Sequence, residues 1–207
     1  MKSYKNLALG IVRRWQMSGE YLVDRHISFD MRGQGFMVTV VGPCGSGKST
    51  LALQIARRIH KIGFRTPALI DETVFDRFID KPRRSNTGVL ELHRPFFYIR
   101  DMACRTHTPV VVTVTLRAVN LRPTTGHEHQ QSRLAVLASH DILCFSDLVW
   151  MTDWRGGEFF ASIAKSRSAN PMSSDIKVFP NREYRVEDCP YFQRGIELAR
   201  QIEQRHG

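Results

Sequence analysis

The stretch Gly42-Pro-Cys-Gly-Ser-Gly-Lys-Ser-Thr50 follows the apolar run Phe36–Val41 and precedes a segment with helical periodicity. It has the spacing G-x-x-x-x-G-K-[ST] of a phosphate-binding loop, in the strand-to-helix context that this motif requires. Its glycines allow the backbone to fold around a polyphosphate with N–H groups pointing inward, and the following helix adds its positive N-terminal end. The stretch therefore predicts a strand–loop–helix unit that binds a nucleoside triphosphate.

Several residues of this loop have individual roles in the prediction. Lys48 is expected to contact the β- and γ-phosphates, and Ser49 to place its hydroxyl on Mg²⁺. Thr50 is expected to cap and pack the start of the helix. The residues expected to surround the nucleotide are Gly42, Pro43, Cys44, Gly45, Ser46, Gly47, Lys48, Ser49 and Thr50.

Length and charge constrain the domain organisation and the partners. The chain has 207 residues, 42% of them apolar, which suits one globular domain with a hydrophobic core. We expect a basic N-terminal arm or helix over residues 1–30 and a P-loop ATPase domain over residues 31–207. Thirty Lys and Arg against twenty Asp and Glu give a net charge of +10. This balance favours DNA or RNA as a partner over a merely basic protein without one.

Cysteine usage and hydropathy indicate the compartment. The four cysteines are far apart in sequence and form no C-x-x-C pair, so neither a disulfide scaffold nor a zinc knuckle is indicated. No apolar stretch approaches the length of a membrane span or of a signal-peptide core. These features predict a cytoplasmic protein without a membrane partner.

Beyond the loop, helical and strand patterns alternate. The predicted elements are a helix through residues 51–62, strand 66–71, helix 95–107, strand 109–115, a polar loop 117–133, strands 141–146, 159–164, 174–179 and 184–186, and helix 191–205. This order predicts an α/β fold, a P-loop NTPase with a mainly parallel central sheet, flanking helices and a strand-rich C-terminal part. The polar loop is expected near the active edge, where Arg117, Arg122 and Arg133 are candidates to contact nucleic acid.

Two carboxylates lie at the end of the strand 66–71. A parallel strand delivers its last residues to the phosphate edge of the sheet, so Asp71 and Glu72 are expected there. Asp71 is a candidate to hold Mg²⁺ through water together with Ser49, since oxygen ligands suit this ion. The structural alternative is that Asp71 caps a helix starting near Val74.

The stretch 110–188 resembles the C-terminal half of DnaB-type replicative helicases, which have a RecA-like ATPase core, and its most similar segment is Ile163-Ala-Lys-Ser-Arg167. The resemblance implies that Lys165 and Arg167 reach across a subunit boundary to the γ-phosphate bound by a neighbour. It also implies that Glu72 is the general base. The implied assembly is a homo-oligomer on DNA or RNA, for example a hexameric ring, with another protein to recruit it.

The sequence departs from that family at two points. Between Glu72 and Pro109 there is no apolar strand that ends in aspartate, where the Walker B carboxylate is expected. The sensor glutamine expected after the fourth strand is replaced by Thr115 and Leu116. These departures predict a reduced or slow ATPase.

Two other functions remain open from the residues. Small P-loop kinases similar to adenylyl-sulfate kinases also begin with this loop and a second strand that ends in acidic residues. In that case Asp71 would orient an acceptor hydroxyl, and arginines of loop 117–133 would form a lid. The other alternative is an assembly protein that binds ATP with little hydrolysis. ATP is preferred over GTP because no N-K-x-D guanine motif is present.

Overall fold

A computed structural model describes residue 27 and residues 33–71, 94–115, 142–155, 158–167, 176–178 and 189–206. Several predictions lie outside these residues. They concern most of the basic arm 1–30, Glu72, the polar loop 117–133 with its three arginines, and the strand 184–186. The predicted boundary between arm and ATPase domain stays a prediction.

The strands in the described part of the chain are β1 (Met37–Gly42), β2 (Ala68–Ile70), β3 (Val110–Thr115), β4 (Leu148–Arg155), β5 (Glu158–Ser166) and β6 (Ile176–Val178). The helices there are α1 (Lys48–Lys61), α2 (Arg94–Thr106), α3 (Ile142–Phe145) and α4 (Pro190–His206).

All of these strands belong to one sheet, with the order β2-β3-β1-β4-β5-β6. Strands β2, β3, β1 and β4 run parallel to one another. Strand β5 runs antiparallel to β4, and β6 antiparallel to β5. The predicted α/β class is confirmed: a mainly parallel sheet with flanking helices and a strand-rich C-terminal part.

The core lies on both faces of the parallel strands. Every residue of β1 is buried, as expected for a strand covered by helices on both sides. Helix α1 contributes Leu51, Ile55 and Ile59, which share one helix face and are all buried. Helix α4 packs against β2 at Gly195, where a Cβ atom would overlap the Leu69 backbone. This contact brings the last helix close to the sheet.

One predicted strand is wrong. Residues 141–146 were expected to form a strand, but Ile142–Phe145 form the short helix α3, closed by a hydrogen bond from Ser146 N to Ile142 O at 3.1 Å. The strand that enters the sheet is the next segment, β4, because Asp147 N donates to Met37 O at 2.8 Å and starts the pairing with β1. A long-range contact therefore overrides the local apolar pattern.

No helix in the described ranges is long and apolar enough to cross a membrane.

Candidate functional site

The loop between β1 and α1 has the backbone shape that the glycine spacing predicts. Gly45 and Gly47 have positive φ angles of 73° and 81°, in the left-handed region that favours glycine. Gly47 is the N-cap of α1, and its carbonyl accepts the first helical hydrogen bond from Leu51 N at 3.0 Å. These two glycines turn the chain directly from the end of β1 into the helix.

The N-terminus of α1 presents positive charge toward this loop. No side chain caps the helix start, and its first turn contains no acidic residue. The first backbone N–H groups of a helix have no partner within the helix, and together they carry its positive dipole end. The side chain of Lys48 is 6% exposed and donates to Pro43 O at 2.8 Å, so its ammonium lies within the loop. Uncapped N–H groups beside a buried cation fit a polyphosphate.

Strand β4 fixes the loop from the side. The hydroxyl of Thr152 donates to Val41 O at 3.3 Å and accepts from Ser46 Oγ at 2.6 Å. A Cβ atom at Gly42 would lie 2.6 Å from Thr152 O, so only glycine fits at this position. Sequence reasoning missed Thr152, because the position of β4 beside β1 had not been predicted.

The start of β5 lies against the same loop. A Cβ atom at Gly47 would lie 3.3 Å from the Phe159 ring, which therefore packs directly beside the N-cap of α1. Because β5 is antiparallel, its first residues lie at the phosphate edge of the sheet and its last residues at the opposite edge. Nothing in the sequence around Phe159 indicated this contact.

Two further strands, β3 and β2, end at the phosphate edge, which is the end of the sheet where β1 runs into the loop at Gly42. Thr115, the last residue of β3, is in register with Gly42, and Asp71 follows the last residue of β2. Thr115 Oγ1 is buried and has no hydrogen-bond partner among the residues with described positions. Ser49 is exposed at the start of α1. The carboxylate and the hydroxyls at this edge are the oxygen ligands that Mg²⁺ prefers, so the chemistry of the site fits that ion.

The other two residues predicted to be catalytic lie at the opposite edge of the sheet. Arg167 follows β5, and its N–H donates to Asp147 O at 2.8 Å, while Asp147 pairs with Met37 at the start of β1. The phosphate loop begins at Gly42, where β1 ends, roughly 17 Å away at the usual rise per residue of a strand. Lys165 and Arg167 are therefore brought together, but away from the phosphate loop of their own chain.

Both of these side chains have partners at that edge. Lys165 Nζ donates to Leu143 O and, at 2.7 Å, to Ser146 O. These two carbonyls lie in and just after the short helix α3, so Lys165 stabilises the C-terminal end of α3. Arg167 Nη1 donates to Asp147 Oδ1 at 3.2 Å. Asp147 and its second arginine partner, Arg100, were not predicted, since long-range ion pairs leave no local sequence signal.

Neither a family model nor a curated protein sequence matches the chain. Among solved structures, a KaiC-like protein from the hyperthermophilic archaeon Pyrococcus horikoshii OT3 is similar over 72% of this chain and 88% of that chain. The sequence identity is 12% and the TM-score 0.43.

Proposed function

We propose that this chain is a Mg²⁺-dependent P-loop ATPase that works as a homo-oligomer on nucleic acid. The observation that carries the proposal is the loop between β1 and α1, where Lys48 and an uncapped helix N-terminus converge. The basic net charge of +10 supports a polyanionic partner. In this proposal Arg117, Arg122 and Arg133 contact DNA or RNA, and another protein recruits the assembly.

In this proposal, different residues near the loop bind the phosphates and the Mg²⁺ ion. Backbone N–H groups of the loop and Lys48 bind the phosphates, and Ser49 and Asp71 hold Mg²⁺, with Asp71 acting through water. Bound Mg²⁺ supplies charge neutralisation on the phosphate oxygens. Glu72 is the proposed general base, next to Asp71 in sequence. Phe159 and Thr152 keep the loop in its binding shape.

The position of Arg167 supports an oligomeric mechanism. Its side chain is 69% exposed at the edge of the sheet opposite its own phosphate loop. An arginine side chain does not bridge that separation, so Arg167 acts on a bound phosphate only from a second chain. A cation that reaches the phosphate on assembly stabilises the charge of the transferring phosphoryl group. We propose this trans role for Arg167, with Lys165 holding the strand end beside it.

A second candidate function is an ATP-gated assembly protein with little hydrolysis. The observation that favours it is the strand next to β1: β3 ends in Thr115, which offers a hydroxyl and no carboxylate beside the phosphate loop. A site that lacks the Walker B carboxylate can bind nucleotide but positions the attacking water less firmly. The assembly would then respond to ATP binding instead of turnover.

Turnover and mass measured together test the proposed function. ATP hydrolysis by the purified chain is measured alone, with single-stranded DNA, with RNA and with small hydroxyl acceptors, while light scattering reports the mass. The proposal expects stimulation by a polynucleotide in a multimeric fraction. Turnover that requires a small acceptor, in a monomer or dimer, would instead identify a kinase. Tight binding without turnover would identify the assembly protein.

Replacement of Asp71 tests the magnesium site. Asp71→Asn keeps the size of the side chain but removes the charge, so the Mg²⁺ concentration for half-maximal turnover should rise about 10- to 100-fold, the usual cost of losing an outer-shell partner. ATP binding without Mg²⁺ should stay unchanged. The matched control is Asp101→Asn on α2, which removes a partly exposed carboxylate paired with Arg105. An unchanged Mg²⁺ requirement would contradict the metal role and favour a helix cap.

A further inference from the structure

One buried carboxylate, Asp147, is shared by two arginines at the edge of the sheet opposite the phosphate loop. Arg100 donates through Nη1 to Asp147 Oδ2 and through Nη2 to Oδ1, the latter at 3.1 Å. Arg167 Nη1 donates to Oδ1 at 3.2 Å, and Met37 N donates to Oδ2 at 2.9 Å. Each carboxylate oxygen therefore accepts two hydrogen bonds. The two guanidinium groups, which are always protonated, carry one positive charge more than Asp147 balances.

The two arginines hold this carboxylate unequally. The side chain of Asp147 is 5% exposed, that of Arg100 21% and that of Arg167 69%. Attraction between charges weakens as water surrounds them, and exposed ion pairs contribute little to stability. Arg100 also binds both carboxylate oxygens, whereas Arg167 binds one. Arg100 is therefore the firm partner of Asp147, and the guanidinium of Arg167 is the exchangeable one.

The main chain around Arg167 is fixed, although its side chain is exposed. The N–H of Arg167 donates to Asp147 O at 2.8 Å, and Lys165 is tied to Leu143 O and Ser146 O. Release of the Arg167 guanidinium from Asp147 therefore requires rotation of one side chain and no rearrangement of the sheet.

We propose that Arg100 is a positioning residue for Arg167. By neutralising Asp147, Arg100 leaves the Arg167 guanidinium available to a second anion, the terminal phosphate of a nucleotide bound by a second copy of this chain. Without the charge of Arg100, Asp147 would retain Arg167 in an ion pair within its own chain, and that pair would compete with the phosphate. This role of Arg100 rests on the trans role of Arg167 proposed above.

The first test replaces the firm partner. Arg100→Gln removes the charge and keeps a hydrogen-bond donor, so kcat should fall roughly tenfold, within the range of coupling between residues of one salt-bridge network. The KM for ATP and the oligomeric mass should stay at the wild-type values, because the phosphate loop is at the other edge. The matched control, Arg105→Gln, removes an arginine of the same helix that is 63% exposed and pairs with Asp101. It should retain wild-type turnover, and a KM change in Arg100→Gln without a kcat change would overturn the proposal.

A mixing experiment separates positioning from a general loss of structure. Lys48→Ala subunits lack a working phosphate loop but retain Arg100 and Arg167. Arg100→Gln subunits have an intact phosphate loop but lack Arg100. In an equal mixture, about a quarter of the head-to-tail interfaces combine an intact loop with an intact arginine pair. Turnover should therefore exceed that of either variant alone, whereas a misfolded Arg100→Gln subunit would gain nothing.

A parallel mixture of Lys48→Ala with Arg167→Ala separates the role of Arg100 from the trans role of Arg167. If that mixture gains turnover and the Arg100→Gln mixture does not, the role of Arg100 is overturned and the trans role of Arg167 stands. If neither mixture gains turnover, the trans role itself is overturned.

A charge rescue provides an independent readout. With the Asp147→Asn substitution, the amide oxygen still accepts a hydrogen bond from Met37 N, but the uncharged side chain no longer competes for Arg167. The double variant Arg100→Gln/Asp147→Asn should therefore recover most of the kcat lost in Arg100→Gln, measured well below the thermal midpoints of both variants. A double variant that remains as slow as Arg100→Gln would overturn the proposal.

Discussion

Lys48→Ala is expected to abolish tight binding of ATP. The Lys48 side chain is buried in the loop, where its ammonium donates to Pro43 O, so a bound phosphate would meet a cation screened from water. Loss of a buried, hydrogen-bonded charge partner costs about 3 kcal/mol or more, which raises the Kd at least about a hundredfold. Titration calorimetry with MgATP measures this change directly.

The matched control for this substitution lies on the same helix. Lys61→Ala removes an exposed lysine at the C-terminal end of α1, far from the loop, and should leave the Kd for ATP unchanged. Retention of wild-type affinity by folded Lys48→Ala would show that nucleotide binds somewhere other than this loop.

Arg167→Ala is expected to spare ATP binding and to lower turnover by about a thousandfold or more, the usual contribution of an arginine supplied in trans. Its exposed side chain lies at the edge away from its own loop, so its removal changes a neighbour's phosphate site and not its own. Binding titrations and steady-state turnover on the same preparation separate the two effects.

Mixing with wild type tests whether the subunits act in concert. Each Arg167→Ala subunit should disable the site of its neighbour, so activity should fall out of proportion to its fraction if subunits act in concert. The control Arg194→Ala removes an exposed arginine of α4 that pairs with Glu197. A proportional loss of activity on mixing would show that the subunit interfaces act independently of one another.

The phosphate loop could be predicted in detail because its determinants are local. Glycine spacing dictates the positive φ angles at Gly45 and Gly47, and the residue after the second of these glycines is the lysine that enters the loop. Strand β3 could be predicted equally well, since a β-branched run such as Val110–Thr115 favours the centre of a parallel sheet.

The rest of the site depends on contacts between distant parts of the chain. Met37 and Asp147 are 110 positions apart, and Ser46 and Thr152 are 106 apart, so no spacing rule connects them. The same long-range pairing decided that the segment after Phe145 becomes β4. Sequence reasoning therefore identified the loop that we propose binds phosphate, but missed Thr152 beside it on β4 and the Arg100–Asp147 pair at the other edge of the sheet.

Complementation between Lys48→Ala and Arg167→Ala tests the central claim most directly. Each variant alone should be nearly inactive, one without a nucleotide site and the other without the arginine. In an equal mixture about a quarter of the interfaces unite an intact loop with an intact arginine, so turnover should recover to at most about a quarter of the wild-type rate, the value for interfaces that act independently. No recovery in a mixture that forms oligomers of wild-type mass would contradict catalysis at a shared subunit interface.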